Sequence, residues 1–381
     1  MLQKPRPLVL IAAAMIGSLH AAPPVMDAVN KQIEGFVEAR EIAGAVTLVA
    51  DGKKILHLSA TGLADIEKNR AMATDSVFWI ASMTKPITAT AVMMMQDEGK
   101  LSVDDPVSKY LPEFTGDKAG ITIAHCLTHT SGLSEVSSEE DKEVTTLKDL
   151  IPLFTVKPLL SKPGNKWKYC QTGINTVARV VEVVSGKAFP EFLAERLFKP
   201  LEMKDTSFYP TDAQIARIAT AYKRGDDGKL EQAPITFLGG KSIADQTRYP
   251  FANGGLFSTA EDYLKFAQMI LNGGELDGKR YLKAETVRQM TSIQTADLAC
   301  GFVPGSAWGL GWSLVREPQG VTAALSPGSF GHGGLFGTQA WIDPVKQRIY
   351  LLLVQRAKFT NQGGGDGSDL RREFQNAAAR P

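Results

Sequence analysis

Residues 43–62, AGAVTLVADGKKILHLSATG, place two runs rich in Val, Ile and Leu on either side of Asp51-Gly52. A short apolar run, a turn pair that a tight hairpin favours and a second run predict two antiparallel strands. Residues 338–354, TQAWIDPVKQRIYLLLV, repeat the pattern around Asp343-Pro344. There the uninterrupted apolar run from Ile349 to Val354 predicts a central strand. Beyond it, Ser368 is placed to cap a short helix whose Leu370, Phe374 and Ala378 share one face.

Between these ends the pattern changes to helices and loops. TVARVVEVVSGKAFPEFLAERLF at 176–198 and TAEDYLKFAQMILNGG at 259–274 carry helical spacing. In the second, Thr259 is a cap, Glu261 and Asp262 fall in the first turn and Gly273 is a stop. The chain therefore predicts an α/β (α+β) fold: an antiparallel sheet flanked by helices and formed from both chain ends, with a largely helical inserted domain. No internal repeat is present, and the one low-complexity stretch is GGGDG at 363–367.

The segment WIASMTKPIT, 79–88, raises a chemical question, because it buries a lysine near a serine. Pro86 has no N–H and cannot bond to the carbonyl of Ser82, so a helix containing it starts close to Ser82. Its continuation, ITATAVMMMQDEG, is apolar nearly all round and reads as a buried helix, with Met93, Met94 and Met95 as core. Lys85 then lies one turn in, on the same face as Ser82. Desolvation drives such a lysine toward its neutral form, which can accept the serine proton. Backbone N–H groups left open at the helix start suit a developing oxyanion. Taken alone, a Ser-x-x-Lys tetrapeptide is common in helices.

Further segments accompany it. FWIASMTKPITA, ITIAHCLTHTSGL (121–133), KPGNKWKYCQTGINTVARVVEVVSG (162–186), PLEMKDTSF (200–208), NGGLFSTAEDYLKF (253–266), WGLGW (308–312) and FGHGGLFGTQAWIDP (330–344) follow in order. In this series the chain resembles the serine β-lactamase and penicillin-binding family, in the branch of cephalosporinase-type β-lactamases, D-alanyl-D-alanine carboxypeptidases and family VIII carboxylesterases. The resemblance spans about Ile42 to Val354 and implies the same sheet with a helical insertion. It makes Ser82 the nucleophile, Lys85 the group that holds or accepts its proton, and Tyr169 a general base whose phenolate the lysine stabilises. By position, the backbone N–H groups of Ser82 and Leu335 form the oxyanion hole, and Gln171, His332, Gly333 and Gly334 contact substrate.

Two positions depart from the family pattern. Gln171 stands where asparagine is usual, after Cys170 in place of serine, and His332 occupies the first place of a Lys-Thr-Gly motif. A neutral imidazole offers a substrate carboxylate little charge. Both changes favour neutral esters. The resulting expectation is an exported serine hydrolase acting on small esters through an acyl-enzyme. A β-lactamase or D-Ala-D-Ala carboxypeptidase, and a silent binding protein of the same fold, are the alternatives.

Composition adds boundaries. With 381 residues, 44% hydrophobic and 22% charged, the chain can bury a large core, and a net charge of +1 gives no footprint for nucleic acid. Small-molecule esters or amides are the expected partners, with no cofactor and no metal. Lys4 and Arg6 before the apolar run Leu8–Leu19 predict a signal peptide over 1–21, hence a periplasmic or secreted protein with no stable membrane insertion once it is removed. The hydrolase domain then covers 22–381, with 22–110 and 300–381 as its α/β part and 111–299 as the mainly helical part. Cys126, Cys170 and Cys300 are an odd set that builds no disulfide framework. His125 and His129 have a metal-like spacing, but hydrogen bonding within their loop is the simpler role. His57, on a strand, and Trp167 read as structural.

Overall fold

The computed structural model describes residues 24–235, 237–357 and 369–379. The leader at 1–21, the glycine linker at 363–367 and the capping role of Ser368 lie outside these residues.

In chain order, helix α1 (Pro24–Glu38) is followed by strands β1 (Gly44–Ala50), β2 (Ile55–Asp65), β3 (Arg70–Ala71) and β4 (Phe78–Trp79). A 3₁₀ turn at Ala81–Met83 runs into α2 (Thr84–Asp97), and α3 (Ile123–Leu127), α4 (Leu147–Thr155), α5 (Gln171–Ser185), α6 (Phe189–Leu193) and α7 (Asp212–Ile215) follow. Next come β5 (Tyr222–Arg224), β6 (Leu230–Gln232), β7 (Phe257–Ser258), α8 (Ala260–Leu271), β8 (Glu275–Leu276), β9 (Lys279–Arg280) and α9 (Ala284–Met290). The chain ends with β10 (Ser306–Trp308), β11 (Ser313–Val315), β12 (Phe330–Gly333), β13 (Gln339–Asp343), β14 (Arg348–Val354) and α10 (Asp369–Ala378).

One eight-stranded sheet, ordered β10-β11-β12-β13-β14-β1-β2-β3, joins the two ends of the chain, and its pairings are antiparallel. Strand β1 lies between β14 and β2, and all seven of its residues are buried. The period of two explains how. Val46, Leu48 and Ala50 enter the large core shared with the inserted helices, while Ala45 and Val49 enter a second core under α1 and α10. Strand β14 divides in the same way, with Ile349, Leu351 and Leu353 on one side and Tyr350, Leu352 and Val354 on the other. A continuous apolar run is what a strand covered on both faces requires.

The predicted turns are closed by aspartates. Asp51 Oδ1 accepts from the amides of Lys53 and Lys54, each at 2.8 Å. Asp343 Oδ1 accepts from Val345 and Lys346 at 3.1 and 2.9 Å. Leu370, Phe374 and Ala378 of α10 are buried in the second core with Val29 and Ile33 of α1.

The helical expectation for 176–198 needs amendment. Helix α5 starts earlier, at Gln171, and ends where Gly186 adopts φ +70°, after which α6 and a π-helical turn (Ala194–Phe198) form a separate element. A left-handed residue just past a helix end is the usual glycine stop. Helix α8 begins as predicted, with Thr259 Oγ1 accepting from the Asp262 amide at 3.3 Å, and it packs on β1 and β14. Met93, Met94 and Met95 are core residues.

Candidate active site

Ala81 has φ +46° and is buried. A left-handed backbone costs a residue with a Cβ about 1–2 kcal/mol, and such strain marks places where the surrounding fold dictates geometry. Here it turns the chain from β4 into the 3₁₀ turn, so that Ser82 stands at the mouth of α2. Every residue of α2 from Thr84 to Met95 is buried.

Lys85 is fully buried, and its Nζ donates to Ser82 Oγ at 3.0 Å and to the Asn253 carbonyl at 2.7 Å. Burial brings its pKa down to about 7, against the opposing pull of Glu135 and Cys170. Near neutral pH, much of Lys85 is therefore an amine with a free lone pair beside a hydroxyl. The Lys85 nitrogen also lies 4.6 Å from the centroid of the Tyr169 ring.

Tyr169 completes the group but in a different protonation state from the one the resemblance implies. Burial pushes its phenol up, the neighbouring Ser82 hydroxyl pulls it partly back and Glu135 adds to the rise. The resting group is a phenol, and Lys85 is the better base. Its Oη lies 3.4 Å from His332 Nε2, while His332 Nδ1 lies 2.7 Å from the Gly333 carbonyl. A carbonyl only accepts, so Nδ1 carries the imidazole proton and Nε2 is left to accept from the tyrosine. Burial drives His332 down to about 3, with Lys85 and Arg371 adding to the fall. The imidazole is neutral throughout the range in which proteins work.

Gly333 and Gly334 bring β12 against the turn that carries Ser82. A Cβ on Gly334 would come within 2.0 Å of Thr338 Oγ1 and 2.6 Å of the Ile80 carbonyl. Only a glycine lets the strand pass there, and the passage sets Leu335 on the same cavity as Ser82. The turn is held from behind. Buried Arg371, on α10, donates to the carbonyls of Gly334, Gly337 and Thr338 at 2.5, 3.1 and 2.9 Å.

The cavity has a volume of about 310 Å³, and Ser82, Gln171, Asn253 and Leu335 line it among aromatic side chains that include Trp79, Phe237 and Phe251. His332 is not on its wall, since the ring is buried behind Tyr169 and Trp308. Gln171 Oε1 accepts from Asn253 Nδ2 at 3.0 Å.

Residues outside the predicted set hold this arrangement. Glu135 Oε1 accepts from the Gln171 amide at 2.6 Å, and Oε2 accepts from the Thr172 amide and hydroxyl at 3.1 Å each. A carboxylate thereby caps α5, where the helix dipole favours negative charge. Asn253 contributes its carbonyl to Lys85. His129 has φ +59°, accepts from the Cys170 amide at 3.1 Å through Nδ1, and accepts from the Lys168 amide at 2.9 Å through its carbonyl. It thus grips the chain on both sides of Tyr169, whose ring is 4.5 Å away. His125 instead shares a capping box with Thr122, and His57 Nε2 is 2.9 Å from Thr47 Oγ1. Trp167 packs among Tyr169, Phe302 and Trp308. All three cysteines are free thiols, and burial pushes Cys170, beside Tyr169, up to about 12.

As chemistry, the geometry offers a hydroxyl with an amine in position to deprotonate it, a phenol to relay protons and a helix mouth facing a backbone turn. The sequence profile of the Beta-lactamase family matches residues 29–372. An uncharacterized protein of Mycobacterium tuberculosis is 32% identical, over 87% of this chain and 90% of that one. Esterase EstB of Burkholderia gladioli is 28% identical over the same shares. Among solved structures, EstCE1, a hydrolase with promiscuous acyltransferase activity, superposes with a TM-score of 0.80 at 24% identity, covering 93% of this chain and 98% of that one.

Proposed function

Because the chain belongs to the Beta-lactamase family of serine hydrolases, we propose that it is a carboxylesterase for small esters that carry no carboxylate, working through an acyl-enzyme on Ser82. The observation that carries this reading is the Ser82–Lys85 contact at 3.0 Å with Lys85 held down to about 7. The neutral amine takes the proton of Ser82 as its Oγ bonds to the ester carbonyl carbon. The oxyanion that forms is received by the N–H groups of Ser82 and Leu335. When it collapses, the ester C–O bond breaks and the departing alkoxide takes a proton from Lys85, relayed through the Tyr169 hydroxyl. Water then attacks the acyl-enzyme and gives its proton to the same base, and as the bond from Oγ to the acyl carbon breaks, that base returns the proton to Ser82 and the acid leaves.

The preference for esters without a carboxylate is supported by a cavity whose described residues include no Lys or Arg. A carboxylate-bearing β-lactam or D-Ala-D-Ala peptide gains no ion pair there. The relative named an esterase supports ester chemistry. We further propose export, on the strength of Lys4, Arg6 and the apolar run from Leu8 to Leu19.

The deciding experiment compares short-chain p-nitrophenyl esters with a chromogenic cephalosporin on one preparation. Ready ester cleavage with feeble cephalosporin turnover is expected. The reverse ranking would establish a lactamase, and inertness toward both, with ligand still bound, a silent binding protein.

A further inference from the structure

We propose that the cavity beside Ser82 is built to receive a protonated amine on its substrate, with the carboxylate of Asp141 as the receptor. The proposal rests on Ser82 being the nucleophile that this cavity serves.

Two carboxylates, Glu135 and Asp141, are on the cavity wall, together with no Lys or Arg among the described residues. The two acids are not equivalent. Glu135 is fully engaged, both its oxygens accepting from the first residues of α5. Asp141 Oδ2 accepts from the Tyr249 hydroxyl at 2.6 Å, but its Oδ1 is buried without a hydrogen-bond partner. Asp141 is only 8% exposed. A buried carboxylate oxygen left unpaired is costly, whereas an incoming donor recovers that cost. An ammonium group brings three donors and a charge, and charge-assisted bonds are about twice as strong as neutral ones.

The surroundings fit the rest of such a molecule. The rings of Tyr249 and Phe251, both on the wall, stack at 3.8 Å and offer aromatic faces. Such faces attract a cation and pack against its hydrocarbon stem. Lys157 and Lys85 do not compete. Lys157 Nζ is taken by Glu140 Oε2 at 2.7 Å and the Glu135 carbonyl at 2.8 Å, and Lys85 is occupied behind Ser82.

Three ligands of equal length, 4-phenylbutylamine, 4-phenylbutan-1-ol and 4-phenylbutyrate, test this by calorimetry on the whole protein, with no turnover involved. The amine should bind at least tenfold tighter than the alcohol, and the acid most weakly. Asp141→Asn should bring amine and alcohol within about threefold. An amine that binds no better than the alcohol overturns the proposal, as does a preference that survives Asp141→Asn. Should Asp141→Asn fail to fold, the unmodified protein still decides through the ligand ranking and its salt dependence: an amine advantage that does not shrink as salt rises is not electrostatic. Since none of these ligands is hydrolysed, the outcome is independent of whether esters are substrates.

Discussion

Lys85 Nζ donates to the main-chain carbonyl of Asn253 at 2.7 Å. That bond fixes the nitrogen on a rigid acceptor while its other contact, Ser82 Oγ, is left to react. With Lys85 down at about 7, the base form is lost as pH falls through that value. For a fixed ester, kcat/KM should therefore rise with pH through about 7 and level off above it. Lys85→Met should remove this rise and lower the rate by roughly 10²–10⁴. A pH–rate profile of both proteins is the check, and a flat wild-type profile between pH 5.5 and 8.5 would refute Lys85 as base.

Ser82→Ala should abolish ester hydrolysis while leaving the melting temperature within a few degrees, because a partly exposed hydroxyl contributes little to the core. Mass spectrometry after a brief exposure to substrate should show an acyl adduct on the native protein and none on the variant. Residual activity above a few per cent in a clean sample would move the nucleophile elsewhere.

Tyr169→Phe should lower kcat by roughly 10²–10⁴ with little change in KM, since proton relay is needed in the transition state more than in the ground state. The ascending limb near pH 7 should persist, because it belongs to Lys85. A variant within threefold of wild type would show that Lys85 delivers the proton directly.

His332→Lys places a second cation in a buried site beside Lys85. Like charge disfavours the protonated form of Lys85, so the ascending limb should move to lower pH. The longer side chain should also raise the ratio of cephalosporin to ester turnover, ten- to a hundredfold if it meets the substrate carboxylate at about 1.5–3 kcal/mol. Profiles and ratios measured together separate the two effects. An unmoved limb would show that the new group reaches solvent instead.

Gly334→Ala should fold and lose most activity. Its Cβ would collide with Thr338 Oγ1 and the Ile80 carbonyl, at 2.0 and 2.6 Å, and the backbone has to retreat. The Leu335 amide would then leave the oxyanion site, a loss of typically ~10²–10³ in kcat. Near-normal kcat would mean that Leu335 is not a donor.

The sheet was legible in the sequence because β1 and β14 are covered on both faces and so carry unbroken apolar runs bounded by Asp-Gly and Asp-Pro. Ser82 and Lys85 were legible because an ammonium group among apolar helix positions is costly to bury unless it finds a partner, and the hydroxyl one turn away is that partner. The start of α5 was not. Cys170 and Gln171 are poor caps, and the capping carboxylate comes from Glu135, distant in sequence. Asn253 escaped for a simpler reason: it serves Lys85 through a carbonyl that every residue possesses. Glu135 and Asp141 lie in the acidic stretch SEVSSEEDKE, where composition suggests a solvated loop, and only the folded chain shows which of those acids face the cavity.

Arg371, on α10, holds the turn that presents Leu335, while Ser82, on the same cavity, lies nearly three hundred residues earlier. During synthesis the serine, its lysine and the whole helical insertion emerge before the guanidinium that fixes the opposing backbone. Translation thus makes the reactive centre a late event, completed only when the tail has docked. A nascent chain still on the ribosome is a hydrolase without a finished oxyanion site. Activity becomes a timer for completion: stalled or shortened products that end before residue 371 should emerge silent.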